Sequence, residues 1–407
     1  MSEPARCRVC GEGLAPFLDL GEQPLSNDFA TAEESSDFRF HLEIAACTGC
    51  TMVQMVHEVP RELMFREDYP YLSSGSTHMA EHFEAAARDA LERELRIDDP
   101  FVVELGCNDG VYLKHVAAAG VRHLGVEPSA AVARRAASLG VDVRVDFFDE
   151  ELAREVRAKE GPAKVVFAAN TLCHIPYIGS VLAGVEALLH DDGVFCFEDP
   201  YLGDILATTA FDQFYDEHFY YFSVHSVQAM ARRHGLELVD VAPQAVHGGE
   251  LRYTLARAGA RTPAPAVEAA LEQERAAGVT DPARLREFGE RVRTNADELV
   301  AVLEEARAAG RSVAAYGATA KSATVLNYCG IGPDLVPVVY DSSPTKQGRV
   351  TPGSGIPVVP SEGFRASYPD IALLFAWNHA TEIRAKEQGF ADAGGSWLTY
   401  VPRVQVD

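Results

Sequence analysis

Two pairs of cysteines near the start constrain the fold most: Cys7 and Cys10 stand in CRVC, Cys47 and Cys50 in CTGC, with 36 residues between the pairs. A Cys-x-x-Cys turn aims two thiolates at one point, and two such turns complete a closed tetrahedral sphere of four. The pattern therefore predicts a structural zinc site at Cys7, Cys10, Cys47 and Cys50, in a small zinc-binding unit. A redox motif needs only one such pair followed by a helix. Cys107, Cys173, Cys196 and Cys329 sit in apolar or turn contexts and read as small core residues. Eight cysteines in 407 residues are too few for a disulfide scaffold, and MSEPARCRVC holds no apolar leader run, so the expected location is the cytoplasm.

After the zinc unit, the chain alternates short apolar runs with helical segments. FVVELGC, HLGVEP, VVFAAN and GVFCFEDP each end in turn or polar residues, which predicts a parallel sheet with crossover helices, closed by the strand LRYTLAR. The break TPAPA follows, then a long helix opened by Asp281 with Pro282 in its first turn. A second alternating region holds SVAAYGA, VPVVYDSS, IALLFAWN and WLTYVP. The expectation is an α/β protein of three domains: a small N-terminal zinc-binding domain (1–72), a central Rossmann-like domain (73–262) and a C-terminal Rossmann-like α/β domain (263–407). No apolar run is long enough to span a bilayer. The formal charge of -24, from 60 acidic against 36 basic residues, opposes a phosphate backbone, so neither nucleic acid nor membrane is an expected partner.

In the central unit the first strand carries Glu104 into the turn Gly106-Cys107-Asn108-Asp109-Gly110, and the next strand ends at Glu127 and Pro128. An acid at the end of a second strand can bind both ribose hydroxyls of a ligand lying across the strand ends. NAD is disfavoured because Asn108 takes the second glycine position of Gly-x-Gly-x-x-Gly, where backbone must approach a pyrophosphate. A cofactor without phosphates fits better, and ELGCNDG with GVEP resembles the turn and acid of S-adenosylmethionine-dependent methyltransferases of class I. Asp146 and Phe147, after the third strand, are placed by that topology beside the adenine, and Asn170 in NTLCHI lies at the same end of the sheet.

The densest chemical segment is FDQFYDEHFYYFSVHS, with Tyr215, Glu217 and His218 among aromatics. So many titratable groups are costly to bury without a purpose, and a histidine beside an acid can serve as general base while a tyrosine donates to an oxyanion. His174 in NTLCHI is a second candidate. His247 follows a turn in VHGGELR, where two glycines let backbone approach a ligand. In the C-terminal unit Gly317-Ala-Thr-Ala-Lys321-Ser322 lacks the glycine spacing of a phosphate-binding P-loop, which excludes ATP hydrolysis, yet a turn opening a helix can offer N–H groups to a diphosphate.

Taken in order, CRVCG, GEQPLSNDF, CTGC, the segment with Tyr69, VELGCNDG, GVEPS, NTLCHI, FDQFYDEHFYYFS, HGGELR, AAYGATAKSATVLNY and YDSSPTKQG resemble the sugar C-methyltransferases of antibiotic biosynthesis. That resemblance spans nearly the whole chain. It implies a zinc domain, a central domain for S-adenosylmethionine, and a C-terminal domain that helps hold a nucleotide-linked 4-keto deoxysugar, with thymidine diphosphate the expected nucleotide. It implies methylation at C-3, with C-5 of a related sugar as the alternative, by a monomeric enzyme. Tyr69, His174, Tyr215, Glu217 and His218 fall on the family's active-site positions. Expected substrate contacts are His247, Arg252, Tyr316, Gly317, Thr319, Lys321, Asp341 and Lys346, with Asn378 and His379 nearby. His218 is expected to take the proton, with Glu217 orienting or tuning it and Tyr215 or Tyr69 donating to the enolate oxygen. Glu250 departs from the small polar residue that many relatives carry after HGG. The rival readings are an NAD-dependent nucleotide-sugar oxidoreductase and an RNA-binding zinc-ribbon methyltransferase; the glycine pattern opposes the first and the acidic charge the second.

Overall fold

The computed structural model describes residues 5–31, 33, 34, 38–64 and 72–407. Within them the chain forms three sheets. The N-terminal one pairs Leu14–Gln23 with Phe40–Cys47 antiparallel, then adds Val53–Met55. The second cysteine knuckle turns the chain between those last two strands. Its fourth strand comes from far along the sequence: Val53 and Gln54 pair with Tyr221 and Tyr220. The zinc unit and the segment FDQFYDEHFYYFS therefore share one sheet.

The central sheet has seven strands, in the order Leu236–Gln244, Glu250–Arg257, Leu189–Pro200, Ala163–Ala169, Phe101–Leu105, Arg122–Val126, Val143–Arg144. From Leu189–Pro200 onward the strands are parallel, while Glu250–Arg257 runs against both of its neighbours. Phe101–Leu105 is buried along its whole length, as expected of an unbroken apolar strand covered on both faces. Strand order reverses on either side of it, which opens a crevice at the carboxyl ends of the strands. Helices Thr77–Arg93 and Glu150–Glu160 are among those that cover the sheet, the latter capped by Asp149, which accepts from Leu152 N at 2.9 Å.

The C-terminal sheet runs Val358–Pro360, Val339–Asp341, Val313–Tyr316, Ile371–Leu374, Ser396–Thr399, Gln405–Val406, parallel except for the last pairing. The helix Pro282–Ala308 that precedes it starts as its sequence predicts, with Asp281 accepting from Ala283 N at 2.8 Å. It buries Leu285, Phe288, Val292, Leu299 and Leu303 on one stripe. Among the described residues no helix is long and apolar enough to cross a membrane.

Candidate active site

A cavity of about 690 Å³ opens where the carboxyl ends of the central sheet, the N-terminal loop around Asn27 and the start of helix Ala320–Tyr328 meet. Its wall holds most of the residues singled out from the sequence, in three groups.

The first group follows the strand ends. Gly106 leaves strand Phe101–Leu105 with φ at +63°, and a Cβ there would lie 2.5 Å from Thr171 Oγ1, so the turn requires glycine. Glu127 is buried and accepts from Asn108 N at 3.0 Å and Ser129 N at 2.8 Å. Burial raises its pKa while the two backbone N–H groups hold it down. Gly106, Asn108, Glu127, Pro128, Asp146, Phe147 and Asn170 all line the cavity. This set fits S-adenosylmethionine: a backbone turn without a side chain, a carboxylate at the second strand end for a ribose diol, and a ring at Phe147 for a base. Two expected contacts lie behind the wall. Glu104 is buried beneath it, pushed well above the usual carboxylate range first by burial, then by Glu127. Gly110 packs against the helix behind, where a Cβ would meet Ala136 at 2.9 Å.

The second group is the segment around His218. His218 Nδ1 lies 3.1 Å from the carbonyl oxygen of Gln213 and must donate to it, so the neutral ring presents a lone pair at Nε2. The Tyr215 hydroxyl, 2.8 Å away, donates to that lone pair. His174 stacks on His218 with ring centroids 5.1 Å apart. Burial pushes His174 down to about 4. It also drives His218 well below its ordinary value, helped by His174 and Lys321, so both rings are neutral near pH 7. Glu217 does not take the orienting role expected of it: Gln213 and Tyr215 fix both nitrogens of His218, and Glu217 Oε1 accepts from Asn27 Nδ2 at 2.7 Å. Asp216 accepts from Ser26 N at 3.0 Å, so the N-terminal loop grips this segment twice. Tyr69 lies outside the described residues.

The third group faces them from the C-terminal unit. Thr319 caps helix Ala320–Tyr328 by accepting from Ser322 N at 3.1 Å, and Lys321 and Lys346 line the wall beside it with Asn378 and His379. Asp341 shapes the turn rather than facing the cavity, accepting from Ala318 N and Ser343 N at 2.7 Å each. Gly317 backs onto Ala376. His247 lines the wall from the central unit, with its imidazole pushed down to about 3 by burial. Two expected substrate contacts are committed elsewhere. Arg252 pairs with the buried Glu198 at 2.5 Å, whose other oxygen meets His82. Tyr316 donates to Glu387 at 3.0 Å within the C-terminal core.

Sequence reading passed over Asn27 and Gln213, although both lie inside quoted motifs, GEQPLSNDF and FDQFYDEH. Asp212, one of the titratable groups of the same segment, takes Trp377 Nε1 at 2.6 Å and the Tyr400 hydroxyl at 2.7 Å and so ties the C-terminal unit to this segment. In the N-terminal unit the four cysteine sulfurs lie within 4.8 Å of one another, with Cys7 to Cys50 at 3.6 Å and Cys10 to Cys47 at 3.3 Å. Four thiolates at these separations fit a tetrahedral zinc ion. Gln54 Nε2 donates to Cys7 Sγ at 3.1 Å.

Comparisons with known proteins agree with this layout. A zinc binding domain model matches residues 7–65, a methyltransferase domain model 79–241, and a C-methyltransferase C-terminal domain model 245–402. The C-methyltransferase NovU of Streptomyces niveus is 35% identical over 98% of this chain and 96% of its own. Two solved structures overlap part of the chain. They are a SAM-dependent methyltransferase of Anabaena variabilis ATCC 29413 (15% identity, 46% of this chain, 88% of that one, TM-score 0.37) and the CcbJ methyltransferase of Streptomyces caelestis (18%, 43%, 89%, 0.34). The chain belongs to the zinc-containing, S-adenosylmethionine-dependent C-methyltransferase family whose motifs it carries.

Proposed function

We propose that the protein methylates a carbon next to the ketone of a nucleotide-linked 4-keto deoxysugar, at C-3, with thymidine diphosphate as the carrier. The observation that carries this reading is one cavity with a cofactor turn on one wall, a neutral histidine and its tyrosine on another, and two lysines facing them. A carbon beside a ketone can lose a proton because the resulting enolate places its charge on oxygen. The Tyr215 hydroxyl takes that proton as it passes its own to His218 Nε2, which the hydrogen bond from Gln213 keeps in the accepting tautomer. S-adenosylmethionine, when bound, supplies a methyl group on a cationic sulfur. The remaining work of the chain is to hold the carbon in line at about 3 to 3.5 Å and to keep water out.

Lys346, with Ser343 and the capped start of helix Ala320–Tyr328, is suited to the diphosphate, since N–H groups at a helix start favour an anion. The test is to incubate the enzyme with S-adenosylmethionine and a panel of thymidine-diphospho-4-keto sugars and weigh the products. One added methyl group on at least one sugar is expected; none on any, with turnover of NAD or tight binding of tRNA instead, would overturn the reading.

A further inference from the structure

We propose that Lys321 is the residue that carries the enolate charge, its ammonium contacting the ketone oxygen of the substrate rather than the diphosphate; this rests on the reaction proposed above. The two lysines of the C-terminal wall are differently placed. Lys346 Nζ donates to Ala318 O at 2.7 Å, lies 4.8 Å from the centroid of the Phe29 ring, and sits beside Asp341 and Glu217, at the edge formed by residues 342–344. Lys321 has different neighbours. Its Nζ is 3.5 Å from the carbonyl oxygen of His247, the same oxygen that Gln213 Nε2 meets at 3.0 Å, and the backbone carbonyl of Gln213 holds His218. One residue thus stands between the ammonium and the base.

The surroundings of Lys321 call for an anion. Among the described residues no carboxylate lies within ion-pairing distance of it. The acids that influence it most are Asp212 and Glu250. Asp212 takes Trp377 and Tyr400 on Oδ2 and makes no ion pair with Lys321. Glu250 is buried and held well above the usual carboxylate range, first by burial and then by Glu198 and Asp199. A lysine drawn out of bulk water without an anionic partner is costly, and a ligand that develops negative charge beside it recovers that cost. An enolate oxygen does so only as the reaction proceeds, which is the condition for accelerating it.

The electron count closes on these groups. The C–H bond breaks, its proton passes through Tyr215 to His218, and its electron pair moves to the oxygen against Lys321. That pair is then available for a carbon–carbon bond to the methyl group that S-adenosylmethionine would supply, whose sulfur would keep the pair of the broken sulfur–carbon bond. The ammonium also lowers the basicity of His218, but it touches the enolate oxygen directly and the imidazole only across Gln213, so the net effect favours proton loss.

Two readouts decide it. One is exchange of the substrate proton beside the ketone with solvent deuterium, followed by NMR with S-adenosylhomocysteine in the cofactor site. The other is the affinity for dTDP, which has no ketone, by calorimetry. Lys321→Met is expected to slow exchange about 100- to 1,000-fold, the range seen on removing one oxyanion donor, and to leave the dTDP Kd within about twofold. Exchange within about tenfold of the wild type, or a dTDP Kd raised about tenfold or more, overturns the assignment. If Lys321→Met is not folded by circular dichroism, Lys321→Gln, which keeps a donor without the charge, is judged on the same two readouts. Absence of exchange in the wild type with every 4-keto sugar overturns the proposed reaction, and the role of Lys321 with it.

Discussion

At the scale of single residues, the site depends on a histidine kept from becoming a cation before it is needed. The lone pair of His218 is available only in the neutral form, and burial, His174 and Lys321 all disfavour the charged one. The competent form therefore persists below the ordinary histidine value of 6.5. Accordingly kcat/KM should show no acid limb at 6.5; a limb at or above that value would show that His218 is not the depressed acceptor described. Activity is a better readout than stability here, as the signs show. His174 binds its proton in the unfolded chain near 6.5 but in the fold only near about 4, so it costs stability as pH falls through that window. Asp199, raised to about 7, and Asp216, raised to about 6, are protonated more readily in the fold and gain stability as pH falls through the same range. The two effects oppose each other.

The elements show why a zinc site belongs to this enzyme. Strand Val53–Met55, directly after the second knuckle, pairs with Tyr220–Tyr221, directly after His218. Met55 N donates to Phe219 O at 3.0 Å, and Phe219 N donates to Cys173 O at 2.7 Å, beside His174. Backbone hydrogen bonds thus run from the strand after the knuckle to the residues next to both histidines. Replacing a ligand, Cys47→Ser, should release the metal and raise hydrogen exchange at the Phe219 to Tyr221 amides about tenfold or more. Exchange confined to the knuckles would show the two elements to be uncoupled. This pairing could not be read in the sequence. A two-residue strand has no periodicity, and the tyrosines register as part of an aromatic cluster. Leu236–Gln244 was missed as a strand as well, whereas FVVELGC and IALLFAWN announce theirs by unbroken apolar runs ending in a turn.

For the whole molecule, three sheets converge on one cavity, and much of that convergence was legible because the motifs lie at strand ends. A strand end faces the crevice whatever the register. Residues inside strands are a different matter: their direction depends on partners far away in the chain. Arg252 lies on an antiparallel strand in register with Glu198, and Tyr316 points into the C-terminal core toward Glu387, so neither reaches the cavity. The formal charge of -24 acquires a meaning here too, since such a protein must gather its cations locally to hold a diphosphate. In the proposed reading Lys346 serves the diphosphate and Lys321 the ketone oxygen. The central claim is that cofactor turn, base and lysines act on one carbon, and the product tests it most directly. With methyl-labelled S-adenosylmethionine and a thymidine-diphospho-4-keto sugar, NMR should show the label bonded to the carbon beside the ketone; a label on oxygen or nitrogen would contradict the account.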